Sequence, residues 1–257
     1  MAHLDLHGVR VLVTGSTDGL GLAMAEALVA AGATVAVNGR RPDRVEETVA
    51  RLGGPASGVY PAAFDVRDET AVANGVEAAA AALGGLDVLV NNAGIGMRTV
   101  NPHFVTDPLP FWEVSPDGFR AVVDTNLTGY FLVARAAVGP LQDSPSGRIV
   151  NVSMNHATMR RPGFVPYGPS RAGAEALSLI MTADLAEAGV AVNMLLPGGA
   201  TATGMVPDGI DEANRARLLQ PSVMGPPVVW LCSTQAEGVR GERIVAAEFD
   251  DWLAARG

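Results

Sequence analysis

The stretch "VRVLVTGSTDGLGLAMAEALVAAG", Val9 to Gly32, limits what this chain can fold into more than any other. An apolar run over Val9–Gly15 passes through a glycine-rich turn into an Ala-rich helical stretch ended by Gly32. The same alternation then repeats. "TVAVNG" precedes a helix over Pro42–Leu52, and "GVYPAAFDV" precedes a helix over Asp68–Leu83. "LDVLVNNAG" leads, after a long insertion, to a helix over Ser115–Leu141, and "GRIVNVS" leads to a helix over Tyr167–Ala188. "VAVNMLLPG" reads as a sixth strand; a helix near Val223–Cys232 and a strand near Arg243–Ala247 close the chain. Strands this apolar must be covered on both faces, and regular β–α alternation makes the sheet parallel. With no repeat, linker or low-complexity tract, the chain is expected to form one doubly wound α/β domain over residues 1–257.

Composition narrows the function. A chain of 257 residues with 48% hydrophobic residues can build a full core. A net charge of −9 argues against nucleic acid or an anionic membrane as partner. Cys232 is the single cysteine, so no intrachain disulfide can form and a reducing compartment fits. "MAHLDLHGVR" has no apolar h-region, and no run reaches the roughly 18 apolar residues of a spanning helix. A soluble, cytoplasmic protein is expected, with no metal site.

Two patterns carry chemistry. "TGSTDGLG" lies between the first strand and first helix, where Gly15, Gly19 and Gly21 let backbone approach a pyrophosphate and the helix N-terminus favours its charge. In "VPYGPSRAGAEALS", Tyr167 and Arg171 stand four apart on one helix face. A cation beside a phenol favours its ionised form, and such a phenol can pass a proton to or from a carbonyl or alcohol. The segment "IGMRTVNPHFVTDPLPFWEVSPDGF" breaks the β–α rhythm, and loops this long are often functional.

Taken together, Thr14–Gly21, Asp65 in "FDV", "NNAG" at Asn91–Gly94, Asn126 in "DTNLTG", Tyr167 with a base four later, and "PGGATAT" from Pro197 resemble the short-chain dehydrogenase/reductase family over nearly the whole chain. The resemblance implies a Rossmann-type domain with a seven-stranded parallel sheet. It implies a nicotinamide cofactor held by Gly15, Ser16, Asp18, Gly19, Leu20 and Gly21, with Asp65 and Val66 at the adenine. Asn92, Ala93 and Gly94 would line the cofactor, and Pro197, Gly198, Thr201 and Thr203 would lie by the carboxamide or diphosphate. It also implies a homo-oligomer, expected to be a tetramer, built on the helices over Ser115–Leu141 and Tyr167–Ala188. The ending "VAAEFDDWLAARG" replaces the family's common D-G-G, which bears on the second interface.

The family's usual catalytic quartet is Asn, Ser, Tyr and Lys. Asn126 and Tyr167 match it. Arg171 stands where Lys is usual; it stays charged but cannot release a proton. Met154 stands where Ser is usual, and a thioether donates no hydrogen bond. Asn155 is the first candidate to supply the missing donor and His156 the second.

For the choice of nicotinamide, strand two ends in "VNGRR", with Asn38 and no acid to read a ribose 2′-OH. Arg40 or Arg41 could pair with a 2′-phosphate, although Asp18 would repel one if it faced it. NADP is expected, with NAD possible. Arg98, His103, Arg160 and Arg161 border the expected pocket and could bind an anionic small-molecule substrate, with Met154 beside it. Phe104, Phe111 and Trp112 could wall it, or anchor the long loop. The reading is an NAD(P)-dependent oxidoreductase acting on a carbonyl or alcohol. Alternatives are a lyase, epimerase or dehydratase on the same scaffold, or a nucleotide-binding protein without activity. Halohydrin dehalogenases pair Tyr with Arg in this way, but they lack the Gly-rich turn and keep the Ser.

Overall fold

Seven apolar runs become seven parallel strands in a computed structural model that describes residues 4–206 and 211–256. They are β1 (Arg10–Val13), β2 (Thr34–Gly39), β3 (Val59–Ala63), β4 (Val88–Asn91), β5 (Arg148–Val152), β6 (Ala191–Leu196) and β7 (Arg243–Val245). Their order is β3-β2-β1-β4-β5-β6-β7. The winding reverses between β1 and β4, where Val13 pairs with Val90, so a crevice opens beyond the carboxyl ends of these two strands.

Ten α-helices accompany the sheet among the described residues. They are α1 (Gly19–Ala30), α2 (Pro42–Arg51), α3 (Glu69–Leu83), α4 (Pro116–Val123), α5 (Gly129–Gln142), α6 (His156–Met159), α7 (Tyr167–Asp184), α8 (Glu212–Arg215), α9 (Gly225–Cys232) and α10 (Phe249–Ala254). Successive strand residues point to opposite faces, which splits the core in two. Val11, Val13, Val88 and Val90 meet Met24, Leu28, Val228 and Phe249 on one face. Leu12, Leu89 and Ile149 meet Val72, Val76, Val133 and Leu141 on the other. At about 1.5–3 kcal/mol for each fully buried aliphatic side chain, these two layers are the main favourable term in folding. The Cys232 thiol lies in the first of them, where burial pushes its pKa up to about 12.

Three expectations need correction. The helix expected over Ser115–Leu141 is not continuous: Ser115 caps α4 through Gly118 N, and a π-helical turn at Asp124–Thr128 separates α4 from α5. The π turn contains no Gly or Pro to mark it, so the sequence gives no local sign of it. The helix expected to run to Ala188 stops at Asp184. The chain also does not close on β7, because α10 follows it. This six-residue helix is held by tertiary contacts, with Phe249 and Trp252 meeting Trp230 edge-on at centroid distances of 5.9 and 5.3 Å. The long insertion is pinned by Asn101, whose amide donates to Asp107 O at 2.7 Å and accepts from His103 N at 2.9 Å.

The end of the sheet remote from the crevice is tied by Asp87. Its carboxylate accepts from Arg10 N and Nε at 2.9 and 2.8 Å, from Arg10 Nη2 at 2.7 Å, and from the Ser144 hydroxyl at 2.6 Å. Burial pushes this carboxyl up, but Arg10 and Ser144 outweigh it and hold the group below the usual carboxylate range. A depressed folded-state pKa contributes stability above the unfolded value and loses it as pH falls through the folded one. Asp87→Asn is therefore expected to cost about 2 kcal/mol at pH 7, the worth of hydrogen bonds to a charged group. Urea titrations from pH 7 to pH 3 should show the wild type losing stability more steeply than the variant, with the two curves converging in acid.

Candidate active site

The crevice is built from β1 outward. Thr14 Oγ1 accepts from the amides of Asn92 and Ala93 at 2.9 and 3.0 Å, and the Asn92 side chain donates back to Thr14 O and Gly15 O. This stitching fixes the Gly-rich turn against the end of β4. Gly15 has φ +61°, and a Cβ there would fall 2.7 Å from Ala93 Cα. At Gly21 a Cβ would fall 2.3 Å from Gly15 O, so helix and turn touch only because both residues are glycine. Leu20 packs partly onto the first core layer. Asp18 caps α1, with its carboxylate on Gly19 N at 2.7 Å.

Two residues expected at the cofactor lie beneath the turn instead. Ser16 is buried with its hydroxyl on Val13 O. Asn38 is also buried: its oxygen accepts from Gly15 N at 3.1 Å and its amide donates to Ala62 O and Phe64 O. Both side chains are consumed by backbone and support the turn from below. The end of β2 is closed by Gly39, where a Cβ would meet the Thr17 methyl at 2.9 Å. Arg40 is exposed and unpaired in hydrogen bonds among the described residues, whereas Arg41 is turned back onto Asp43 in an ion pair at the start of α2. Asp65 is chelated by Arg67, which holds its carboxyl below the usual range, and Val66 is buried against Gly129.

Tyr167 and Arg171 open α7 as the spacing predicts. Arg171 is 3% exposed and lies over the rings of both Tyr167 and Tyr130, with 5.4 Å to each centroid. Its Nη1 donates to Tyr130 Oη at 2.6 Å and to Val152 O at 3.0 Å, while its Nε has no partner. Burial alone would push the guanidinium down, but its two tyrosine neighbours outweigh burial and it stays charged. Gly94 lets this group press on backbone, since a Cβ there would fall 2.4 Å from Arg171 Nη2. Asn126, in the π-helical turn, is buried; its side chain pairs in both directions with the Ile95 backbone and donates to Ser170 Oγ at 3.3 Å.

The segment bearing Met154, Asn155 and His156 is clamped by two residues that the sequence reading missed. Glu175 accepts from Ser153 Oγ at 2.5 Å, meets His156 Nε2 at 2.8 Å, and accepts from Arg243 Nε at 2.8 Å. Burial raises the Glu175 carboxyl, but these partners outweigh it and leave it below the usual range. Arg243 Nη2 reaches Met154 O at 2.7 Å. Glu175 continues the stripe Tyr167, Arg171 at four-residue spacing, a signal that was readable; nothing in the sequence ties Arg243 to this place. Asn155 donates to Gly198 O at 2.7 Å and so hooks the segment following β6.

That segment leans over the crevice. Pro197 O accepts from Ala247 N, Thr201 bridges to Leu219, and the Thr203 side chain faces Gly19. Met205 Sδ lies 4.0 Å from Tyr167 Oη and abuts Gly96. Of the expected substrate cations, Arg98 reaches this segment through its backbone carbonyls and the others bond elsewhere. Arg98 donates to Gly204 O and Val206 O, Arg160 folds back on His156 O, Arg161 lies over the Phe164 ring, and His103 is exposed. Phe111 and Trp112 project into solvent at 69% and 72% exposure, so they are no pocket wall, while Phe104 anchors the loop edge-on to Phe164. Among the described residues no three His, Cys, Asp or Glu side chains group as metal ligands, and no helix is long and apolar enough to cross a membrane.

The residues present fit a dinucleotide. The turn needs glycine for close approach, and the buried Arg171 Nε lacks a partner beside it. The sequence profile of the short chain dehydrogenases matches residues 9–213. Gluconate 5-dehydrogenase of Gluconobacter oxydans is 34% identical over 203 residues, 77% of this chain and 75% of that protein. The 3beta-hydroxysteroid dehydrogenase 1 of Eggerthella lenta is 34% identical over 251 residues, 92% of this chain and 91% of that protein. The solved structure of a gluconate 5-dehydrogenase from Burkholderia cenocepacia J2315, in complex with NADP and tartrate, superposes with a TM-score of 0.84 at 28% identity, covering 96% and 97% of the two chains.

Because Asn38 holds the turn from beneath, Asn38→Ala is expected to weaken NADPH and NADH binding by the same factor, about tenfold for one lost buried hydrogen-bonding group. Fluorescence titration with both nucleotides checks this. Unequal losses would mean that Asn38 takes part in choosing between them.

Proposed function

The chain belongs to the short-chain dehydrogenase/reductase family and is an NAD(P)-dependent oxidoreductase acting on a small molecule; from that premise we propose that Tyr167 is its acid/base, with Arg171 in the role usually taken by Lys. The observation that carries this is the buried, charged guanidinium packed over the Tyr167 ring. The nicotinamide, when bound, supplies or takes the hydride at the substrate carbon. In the reducing direction Tyr167 gives its phenolic proton to the carbonyl oxygen, and Arg171 favours the negative charge then left on the phenol. Arg171 cannot itself give up a proton, so it acts as a fixed charge. Asn126 holds the π-helical turn to Ile95 and so braces the floor below Tyr167. Asn155 keeps one amide hydrogen beyond its bond to Gly198, and we assign it the donor role that Met154 cannot fill.

Gly15, Gly19, Leu20 and Gly21 would hold the pyrophosphate, Asn92, Ala93 and Gly94 the nicotinamide side, Thr201 and Thr203 the carboxamide or diphosphate, and Arg171 the ribose. Asp65 and Val66 would meet the adenine, with Asp65 first shared with Arg67. NADP is the preferred cofactor in this reading. Gly39 at the end of β2 carries no acid to hold a ribose 2′-OH, and the exposed Arg40, attracted to Asp65 but with no hydrogen-bond partner among the described residues, can meet a 2′-phosphate. The Burkholderia relative is in complex with NADP, whereas a 3-ketoacyl reductase from Brucella melitensis of similar fold is complexed with NADH.

Met205 beside Tyr167 and the dispersal of the cations favour a neutral, largely apolar carbonyl or alcohol over an anionic one. Phe119, Phe131, Leu179 and Ile180 remain 41–58% exposed on α4, α5 and α7, which supports self-association through these helices, in this reading as a homotetramer.

Arg40→Ala should weaken NADPH binding at least tenfold more than NADH binding, the worth of one charge-assisted phosphate contact. Arg41→Ala should change both by less than about twofold, as for an exposed ion pair. Tyr167→Phe should abolish turnover and leave nucleotide binding nearly intact. Asn155→Ala should lower kcat on the order of 10²-fold, as for loss of an oxyanion donor. Steady-state kinetics with sterol-like ketones and with sugar acids, beside fluorescence titration, reads all four outcomes; full activity of Tyr167→Phe would sink the acid/base assignment.

A further inference from the structure

Arg171 is an unusual buried cation. Its close hydrogen-bond partners are the Tyr130 phenol and a backbone carbonyl, the Tyr167 phenol lies beside it, and no carboxylate pairs with it among the described residues. A guanidinium is a rigid planar fork with five N–H donors, whereas an ammonium is a point charge whose donors rotate. A fork placed where a point charge usually sits must have its plane fixed, or its donors point to the wrong atoms.

The geometry points to Tyr130 as the residue that fixes that plane, and hence as a positioning residue for Arg171 and, through it, for the nicotinamide ribose and Tyr167. This rests on the acid/base reading of Tyr167 and Arg171. Tyr130 is 1% exposed, at the second position of α5, among mostly apolar neighbours in sequence. Its hydroxyl accepts from Arg171 Nη1 at 2.6 Å and donates to Val152 O at 3.2 Å, and Arg171 Nη1 donates to the same carbonyl at 3.0 Å. Three groups thus close a triangle at the end of β5. Both hydrogens of Nη1 are spent there, and the remaining edge of the fork, Nε and Nη2, is left facing away from it. Nε has no protein partner, and Nη2 lies against Gly94, which is a residue we place at the cofactor.

Tyr130 does this without cancelling the charge. Burial pushes its phenol up, with Arg171 offsetting part of the rise, so it stays neutral. A carboxylate in its place would pair with Arg171 and withdraw the charge from Tyr167. A neutral phenol orients the fork and leaves the charge available.

A double-mutant cycle tests this, read in NADPH binding by fluorescence titration and in kcat, with Tm measured on every variant. Tyr130→Phe keeps the ring and removes the hydroxyl. It is expected to weaken NADPH binding about fivefold and to lower kcat more than tenfold, with a small change in Tm. On an Arg171→Ala background the same change should cost nothing further in binding. On an Arg171→Lys background its penalty should shrink, because an ammonium has no plane to fix. Equal penalties in all three backgrounds, or a change confined to Tm, would overturn the proposal by making Tyr130 a packing residue only. Retained turnover in Tyr167→Phe would end the acid/base reading, while the binding arm of the cycle would still decide the role of Tyr130.

Discussion

Everything in this molecule hangs on the seam between β1 and β4. There the winding of the chain changes direction, and two strands far apart in sequence must end level with each other. Hydrophobic burial brings them together but has no directional preference. Level ends come from Thr14, whose backbone amide bonds Val90 O while its hydroxyl takes the amides of Asn92 and Ala93. The Gly-rich turn, Gly94 and through it the Arg171 guanidinium are all placed relative to this seam. Asp87 performs the matching task at the opposite end of the same strands, accepting from the Arg10 backbone and side chain.

Around that seam the polar groups fall into two kinds. Asn38, Ser16 and Asn126 are buried and bonded mostly to backbone, so they give the site its shape. Arg171 keeps its Nε donor and its charge unspent. Glu175 stands between the two kinds: it gathers Ser153, His156 and Arg243, and thereby sets the backbone from which Met154 and Asn155 project. An active site needs both kinds, because an unspent donor is useful only where its surroundings cannot collapse onto it.

The sheet was legible because Val- and Leu-rich strands between Ala-rich helices admit one economical packing. The Gly-rich turn was legible because its context, strand before and helix after, is local. What could not be read depended on contacts between remote segments. The end of β2 was recognised as the place that reads the ribose, yet Asn38 faces inward there, because alternate strand residues face opposite ways and no local signal fixes which. The cations of the long insertion and of the loop after α6 looked like one patch in sequence, yet Arg98, Arg160 and Arg161 each take a different partner. Tyr130 passed as one more apolar residue of "YFLVARAAV", although a buried phenol must find a partner and so called for one. Helix α10 was missed because six residues without a side-chain cap rely on the rings of Trp230 and Phe249.

The packing of Thr17 against Gly39 has an evolutionary consequence. An acidic side chain at position 39 is the simplest route to a ribose-reading strand end, but its first carbon would lie within 2.9 Å of the Thr17 methyl. Acquiring the acid therefore requires Thr17 to turn its methyl aside or to give way to a smaller residue. The two positions are coupled: what residue 39 can become depends on the side chain that the neighbouring turn presents to it.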